Sequence, residues 1–449
     1  MIGLMIVVIV ASLQLMASCA LYGYALLILY PIAALIFFIP TLSIVCELAS
    51  SHPVTGGSYV WVEKAFGKSW GFFTVSIQWL ANLIWYPTIF SFIASALAYL
   101  FNPDVASNKL FVLLTVLGLF WSVTFLNMGG IRLSALTSSI GAVGGVLFPI
   151  LLLCILGAIW LAKGNSPAIS FSLSSSNTNF AVLTQIVISL TGLEMALVHM
   201  GDVEHSRKTI PRALFIAGAA ILLIVIAGPL IIAQVLPPDQ INVVSGLLDT
   251  FATLFQNLGL APWLFVFVLI LIFAGNWGNV TAWMISSTRG LQVASQSCSM
   301  PKIFTYTNRH HAPVGILLLE GIIFTCFALI MGLFPKINDG YWFLLILASQ
   351  IALIYYWLIF AAALRLRKTH PPASGLYRVP GKNWGIWIAA ILGTASTGAA
   401  VVLGFFPPNE TIGSSFPLIL FGALILSFLI PAAFLHLSKK SLTKLNSEK

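Results

Sequence analysis

The chain has 449 residues, of which 59% are hydrophobic and only 7% charged, whereas a soluble domain carries roughly 25% charged residues. Its 21 basic and 12 acidic side chains are too few to coat a soluble surface of this size. The net charge of +9 would suggest a nucleic-acid partner in a soluble protein, but here the basic residues fall between apolar runs and read as membrane topology.

Apolar runs long enough to cross a bilayer, roughly 20 residues each, recur along the whole length. That excludes a single anchor on a soluble domain. The short alternating segments of a transmembrane barrel are absent. The expected class is an all-α polytopic membrane protein. Twelve spans are predicted, at 2–22, 26–48, 70–101, 109–127, 133–162, 180–200, 212–236, 260–297, 313–334, 341–364, 385–406 and 416–437. The third, fifth and eighth are longer than a crossing requires, so they are expected to tilt or to continue beyond the bilayer.

The first span begins almost at Met1. Its Leu15-Met16-Ala17-Ser18-Cys19 faintly resembles a lipoprotein cleavage site, but no Lys or Arg precedes it, as a signal peptide requires. The centre of this span, Ala11 to Ser18, is small and polar, with Ser12 and Gln14 in an otherwise apolar segment. The alternatives are a weak point in the helix and ordinary small-residue packing. Glu47 ends span 2 and opens the loop Ser51-His52-Pro53-Val54-Thr55-Gly56-Gly57-Ser58-Tyr59, where a loop or gate contact is expected. The glycine pair lacks the G-x-x-x-x-G-K-[ST] spacing of a nucleotide site. Span 3 carries Gln78, Trp79, Asn82, Trp85 and Tyr86, which line a path or pack against neighbours; packing is the favoured reading.

Span 6 contains Ser189-Leu190-Thr191-Gly192-Leu193-Glu194. An ionisable group at mid-membrane costs several kcal/mol, about 2.5–3.5 on insertion scales, so each one is a functional candidate. Glycine beside glutamate, after two hydroxyl residues, weakens a helix, and transporters use such breaks to hold substrate. The alternative is a carboxyl bonded to a neighbouring helix. Spans 1 and 6 are five apart, so inverted five-span repeats would set their weak points face to face. Span 8 carries Gly275-Asn276-Trp277-Gly278-Asn279, either a cavity or a tight helix contact, and Glu320 in span 9 reads as structural.

With the N-terminus in the cytoplasm, eighteen Lys and Arg lie on inner loops and span ends, and only Lys109, Lys163 and Lys336 lie outside. That asymmetry fits twelve spans with both termini cytoplasmic. The five cysteines are scattered, without metal or disulfide spacing. No Ser-His-Asp order, HExxH or catalytic carboxylate cluster is present, so neither an enzyme nor a cofactor is expected.

Several motifs together resemble the amino acid–polyamine–organocation superfamily. They are Glu47-Leu48 with Pro53 and Gly56-Gly57-Ser58-Tyr59; Gly192-Leu193-Glu194 followed by Arg207-Lys208-Thr209-Ile210-Pro211-Arg212; Ser287-Thr288-Arg289-Gly290 with Met300-Pro301-Lys302-Ile303-Phe304; and Tyr377-Arg378-Val379-Pro380-Gly381. Within it, Phe38-Ile39-Pro40, Gly129-Gly130 with Arg132, Ile241-Asn242-Val243-Val244-Ser245-Gly246 and Phe406-Pro407-Pro408-Asn409 are most similar to the glutamate/γ-aminobutyrate antiporters. The resemblance implies a LeuT-like fold: inverted repeats at 1–162 and 180–364, two further helices at 385–437, and a basic cytoplasmic tail at 438–449. It also implies secondary active transport of an amino acid or related amine by alternating access in a bacterial inner membrane. Substrate would lie at a span 1 break near Ser12, Leu13, Gln14, Leu15 and Met16, and at a span 6 break with Ser189, Gly192, Leu193 and Glu194. Asn276 and Asn279 complete the candidate set, and Glu194 is the candidate for proton coupling. The chain lacks a Gly-Ser-Gly-like run in span 1, and its side chains near Gln14 and at Asn279 are neutral where those exchangers have acidic ones, which leaves the substrate open. A channel or a transporter-like nutrient sensor is the alternative; acceleration of uptake by preloaded substrate separates a carrier from both.

Overall fold

The computed structural model describes residues 10, 12–54, 56–130, 143–165, 180–195, 197–198, 206–298, 300–310, 312–333, 337–406 and 415–447. In chain order the helices are α1 (Leu13–Ala20), α2 (Gly23–Ser51), α3 (Ser58–Phe66), α4 (Lys68–Tyr99), α5 (Lys109–Met128), α6 (Phe148–Ala162), α7 (Phe180–Ile188), α8 (Ser206–Val235), α9 (Gly246–Leu258), α10 (Pro262–Ser297), α11 (Lys302–Thr305), α12 (Val314–Leu333), α13 (Ile337–Thr369), α14 (Lys382–Leu403) and α15 (Phe416–Ser447). Among the described residues there is no strand, and ten helices are long and apolar enough to cross a membrane. The protein is a polytopic all-α membrane protein. Its outward faces carry exposed Leu35, Ile216, Leu223, Leu418 and Leu426, side chains that hydrocarbon solvates and water does not.

Predicted spans 1 and 6 are the two outside these ten. Their described helices, α1 with 8 residues and α7 with 9, are roughly 12–14 Å long at 1.5 Å per residue, against a hydrocarbon core of about 30 Å. The overlong third and eighth spans are continuous helices of 32 and 36 residues. The loop expected between spans 7 and 8 is not free chain. It folds as α9, where Asp249 accepts hydrogen bonds from the Tyr99 hydroxyl and, at 2.9 Å, from Ser245 Oγ. Burial pushes that Asp249 carboxyl above its usual range.

Two helices form the centre. The apolar window of α4 is 89% buried and that of α13 is 78% buried, while that of α15 is 22% buried. α4 packs chiefly on α10, α13 and α3, and α13 on α4, α14 and α3. α1 and α2 pack instead against α8, with α7 beside α1. Local defects in these helices have sequence causes. Pro40 lacks an N–H, so the carbonyl four residues earlier has no helical donor. A π turn occupies Ala34–Phe38, and Ser396 Oγ of α14 donates to the Ile36 carbonyl at 3.4 Å. The Gly56-Gly57 pair has φ of +118° and +51°, and Gly56 N–H bonds to the Val198 carbonyl at 3.1 Å. Its role is to seat the loop between α2 and α3 against the chain after α7.

A close helix crossing lies where the π turn Val143–Leu147 meets α10. A Cβ on Gly145 would stand 2.0 Å from Gly275 Cα and 2.3 Å from the Leu271 carbonyl oxygen. Small residues allow such approach, and backbone cannot yield as a side-chain tip can. Gly145→Ala is expected to cost about 1–3 kcal/mol and to lower the thermal unfolding midpoint of the purified protein in detergent. An unchanged midpoint would show that this crossing does not constrain the fold.

Candidate functional site

Five chain segments converge on one central cavity. From α4 come Gln78, Ala81, Asn82 and Trp85; from α13 come Leu345, Ala348, Ser349, Ala352, Tyr355 and Tyr356. Both sets follow helical spacing of three and four residues, so each is a single helix face. Trp283 of α10 closes one side, and Val10, Ser12, Leu15, Ile188, Thr191, Gly192 and Glu194 close the other. With its open mouth included, the cavity encloses about 670 Å³ of space between atoms.

The chain leaves helical geometry on both sides of the cavity. Ser12 is extended, with φ −85° and ψ 104°, and its side chain caps nothing. The Ser12 side chain thus leaves the first amide groups of α1 uncapped, and Leu15 N–H bonds to the Ser12 carbonyl at 3.2 Å. After Ile188 the last carbonyls of α7 are taken by hydroxyls: Ser189 Oγ donates to the Ile186 carbonyl at 2.8 Å, and Thr191 Oγ1 to the Ile188 carbonyl at 2.7 Å. Gly192 then turns the chain at φ +104°, a conformation that side chains disfavour.

That turn brings Glu194 into the cavity wall, 4% exposed. Tyr356 Oη accepts from Gly192 N–H at 2.9 Å and donates to Glu194 Oε2 at 2.6 Å, so one hydroxyl fixes both the turn and the carboxyl. Gln78 Nε2 approaches Glu194 Oε1 at 3.5 Å, a weak contact. Tyr30 reaches Ser189 Oγ at 3.2 Å from behind. The aromatic wall is Trp85 against Trp283, with ring centroids 5.4 Å apart. Buried Asn82 Nδ2 has no hydrogen-bond partner among the described residues. Among the described lining residues Glu194 is the one acid, and there is no Lys, Arg or His. No cluster of His, Cys, Asp or Glu suited to a metal occurs among the described residues. A largely apolar, aromatic-walled cavity with one acid among its described lining residues can hold a small molecule with an ammonium group and a short apolar body.

Of the expected site residues, Ser12, Leu15, Gly192 and Glu194 line the cavity. Leu13 and Met16 turn into a separate apolar cluster with residues of α6 and α8–α10. Gln14 is buried, its amide unpartnered among the described residues. Ser189 sits behind the wall, and Leu193 is fully buried in the core. Asn276 and Asn279 are buried in α10 without lining the cavity; Asn276 Nδ2 bonds to the Ile272 carbonyl at 2.8 Å. Glu320 is fully buried with neither oxygen bonded among the described residues, and it does not line the cavity. Sequence reasoning missed Tyr355, Tyr356, Ser349 and Trp283. The spacing of small and aromatic residues over 345–356 outlines a helix face for the first three without showing that it meets a cavity.

The sequence profile of the amino acid permease family matches residues 1–429. The chain belongs to the amino acid permease family. This permease is 38% identical over 436 residues to an uncharacterized transporter of Legionella pneumophila, covering 95% of this chain and 94% of that one. It is 26% identical over 427 residues to a glutamate/gamma-aminobutyrate antiporter of Lactococcus lactis, covering 91% and 84% of the two chains. A probable agmatine/putrescine antiporter of Lactococcus lactis is 24% identical over 360 residues, covering 77% and 74%. The permease is thus a membrane transporter and not an enzyme, and it lies within the superfamily that its loop motifs resemble.

Proposed function

We propose that this permease is a secondary carrier, an antiporter or a proton-coupled transporter, that moves an amino acid or a related amine by alternating access. The observation that carries the reading is Glu194. It is the one acid among the described lining residues, held by Tyr356 at a point where the chain has left helical geometry. The substrate ammonium would sit between Glu194 and the Trp85–Trp283 wall. Its carboxylate, where it has one, would meet the amide groups at the start of α1, which carry the positive end of the helix dipole. The described ends at Ser12 and Ile188 support interrupted spans 1 and 6. The pairing of α1 and α2 with α7 and α8 supports inverted repeats at 1–162 and 180–364. The Lactococcus antiporters support the amino acid and amine class. The excess of inner Lys and Arg supports a bacterial inner membrane with both termini cytoplasmic.

A thermal-shift screen of amino acids and their decarboxylation products identifies the substrate. Uptake of that substrate into proteoliposomes should accelerate when the lumen is preloaded with it. Glu194→Gln keeps the shape of the side chain and removes its charge. Loss of a charged hydrogen bond is worth about 1.5–3 kcal/mol, so uptake should fall roughly tenfold or more, with its pH dependence flattened. Full uptake with an unchanged pH profile in Glu194→Gln would refute the assignment.

A further inference from the structure

The inner end of the molecule contains a buried charge pair that the transport site does not use. Glu47, in the last turn of α2, lies 3.0 Å from Arg367 Nε near the end of α13, and both side chains are at most 5% exposed. Direct packing between α2 and α13 is sparse, although each is packed well against other helices. The pair therefore bridges a seam and does not reinforce a core. The connection between α13 and α14 lies back across the same seam. Val379 N–H donates to Glu47 Oε2 at 2.7 Å, Arg367 Nη2 donates to the Lys382 carbonyl at 3.2 Å, and Ser50 Oγ donates to the Tyr377 carbonyl at 3.4 Å. Lys382, whose carbonyl Arg367 holds, has φ +55°, alone among the described non-glycine residues in being positive. The segment is thus held in a conformation that its own backbone disfavours.

A buried ion pair is a poor device for plain stability, because desolvation of two charges offsets most of their attraction. Apolar side chains would join the two helices more strongly, but they would expose apolar surface to water if the helices parted. Charges behave in the opposite way. They bond one another while the seam is dry and are hydrated once water enters, so both arrangements are accessible. We propose that Glu47, Arg367 and the segment from Tyr377 to Lys382 form a latch that fastens the inner ends of α2 and α13 in one conformation and releases them in another. The proposal rests on the alternating-access reading. Its test needs no substrate, so it can fail while transport is confirmed, or hold where the transport assignment fails.

The test uses full-length protein carrying Ser349→Cys, which places a thiol in the cavity wall. Membrane vesicles of both orientations are treated with a membrane-impermeant maleimide, and labelling of the position 349 peptide is followed by mass spectrometry. Three variants act on the latch by different routes: Glu47→Gln removes one charge, Arg367→Gln the other, and Val379→Pro only the backbone donor. Each folded variant should change the labelling rate at least about threefold, faster from the face that bears the latch and slower from the opposite face. Unchanged rates would overturn the proposal, as would acceleration from both faces, which marks a loosened fold. Failure to recover any of the three folded would overturn it too, since the contacts would then hold the fold as a whole.

Discussion

Replacing Gly192 with alanine should lower uptake on the order of 10²-fold while leaving a folded protein. Two effects act at once. Gly192 has φ +104°, and a side chain held in such a region costs about 1–3 kcal/mol. The new methyl would also stand 3.1 Å from Trp283 Cη2 and 3.3 Å from Cζ2, and overpacking adds about 1–3 kcal/mol. The indole is braced by Trp85, so the chain is the easier part to move. Glu194 follows two residues later, and any relaxation at 192 displaces its carboxyl from Tyr356. Misplacing a binding group by about 1 Å can cost on the order of 10²-fold. Thermal unfolding and proteoliposome uptake of the purified variant separate the two consequences. A small fall in midpoint with a large fall in uptake is expected. Adding Trp283→Phe should recover part of the loss by removing the steric contact, but not the part due to φ. Wild-type uptake by Gly192→Ala would mean that the turn is not part of the site.

The sequence and the structure agree best where one physical effect dominates. Long apolar windows specify helices in lipid, and ten of the twelve expected spans appear as helices of crossing length among the described residues. The Gly192-Leu193-Glu194 run was legible because glycine and a carboxyl are both costly in a membrane helix. Tyr356 was not legible. It stands 162 positions from Glu194, and a tyrosine in an apolar span is unremarkable until a partner faces it. The small and aromatic face of α13 was equally ambiguous, since a helix buried on all sides has no polar side against which to read a face. The asparagines of span 8 misled for a different reason. An amide can bond the carbonyl one turn earlier, as Asn276 does with Ile272, so a polar residue in a span need not point to a cavity. The glycine just before them belongs to a different problem: Gly275 lies in the crossing with Gly145.

Tyr356→Phe tests the hydroxyl that joins these parts. The ring would remain, with its edge contact to Phe37 at a centroid distance of 5.6 Å, so packing should change little. Two bonds disappear together: Gly192 N–H loses its acceptor at 2.9 Å, and Glu194 Oε2 loses its donor at 2.6 Å. Leaving a buried donor unmade costs about 1–3 kcal/mol, and every 1.4 kcal/mol is roughly tenfold in affinity. The apparent KM for uptake should therefore rise about tenfold or more, with the maximal rate less affected. Tyr355→Phe is the matched control. Tyr355 also lines the cavity, but its hydroxyl makes neither of the bonds that hold the turn and the carboxyl. If the hydroxyl of Tyr356 organises Glu194, the two variants differ by about an order of magnitude in KM. Equal effects would assign the loss to the general polarity of the wall and detach Tyr356 from the site.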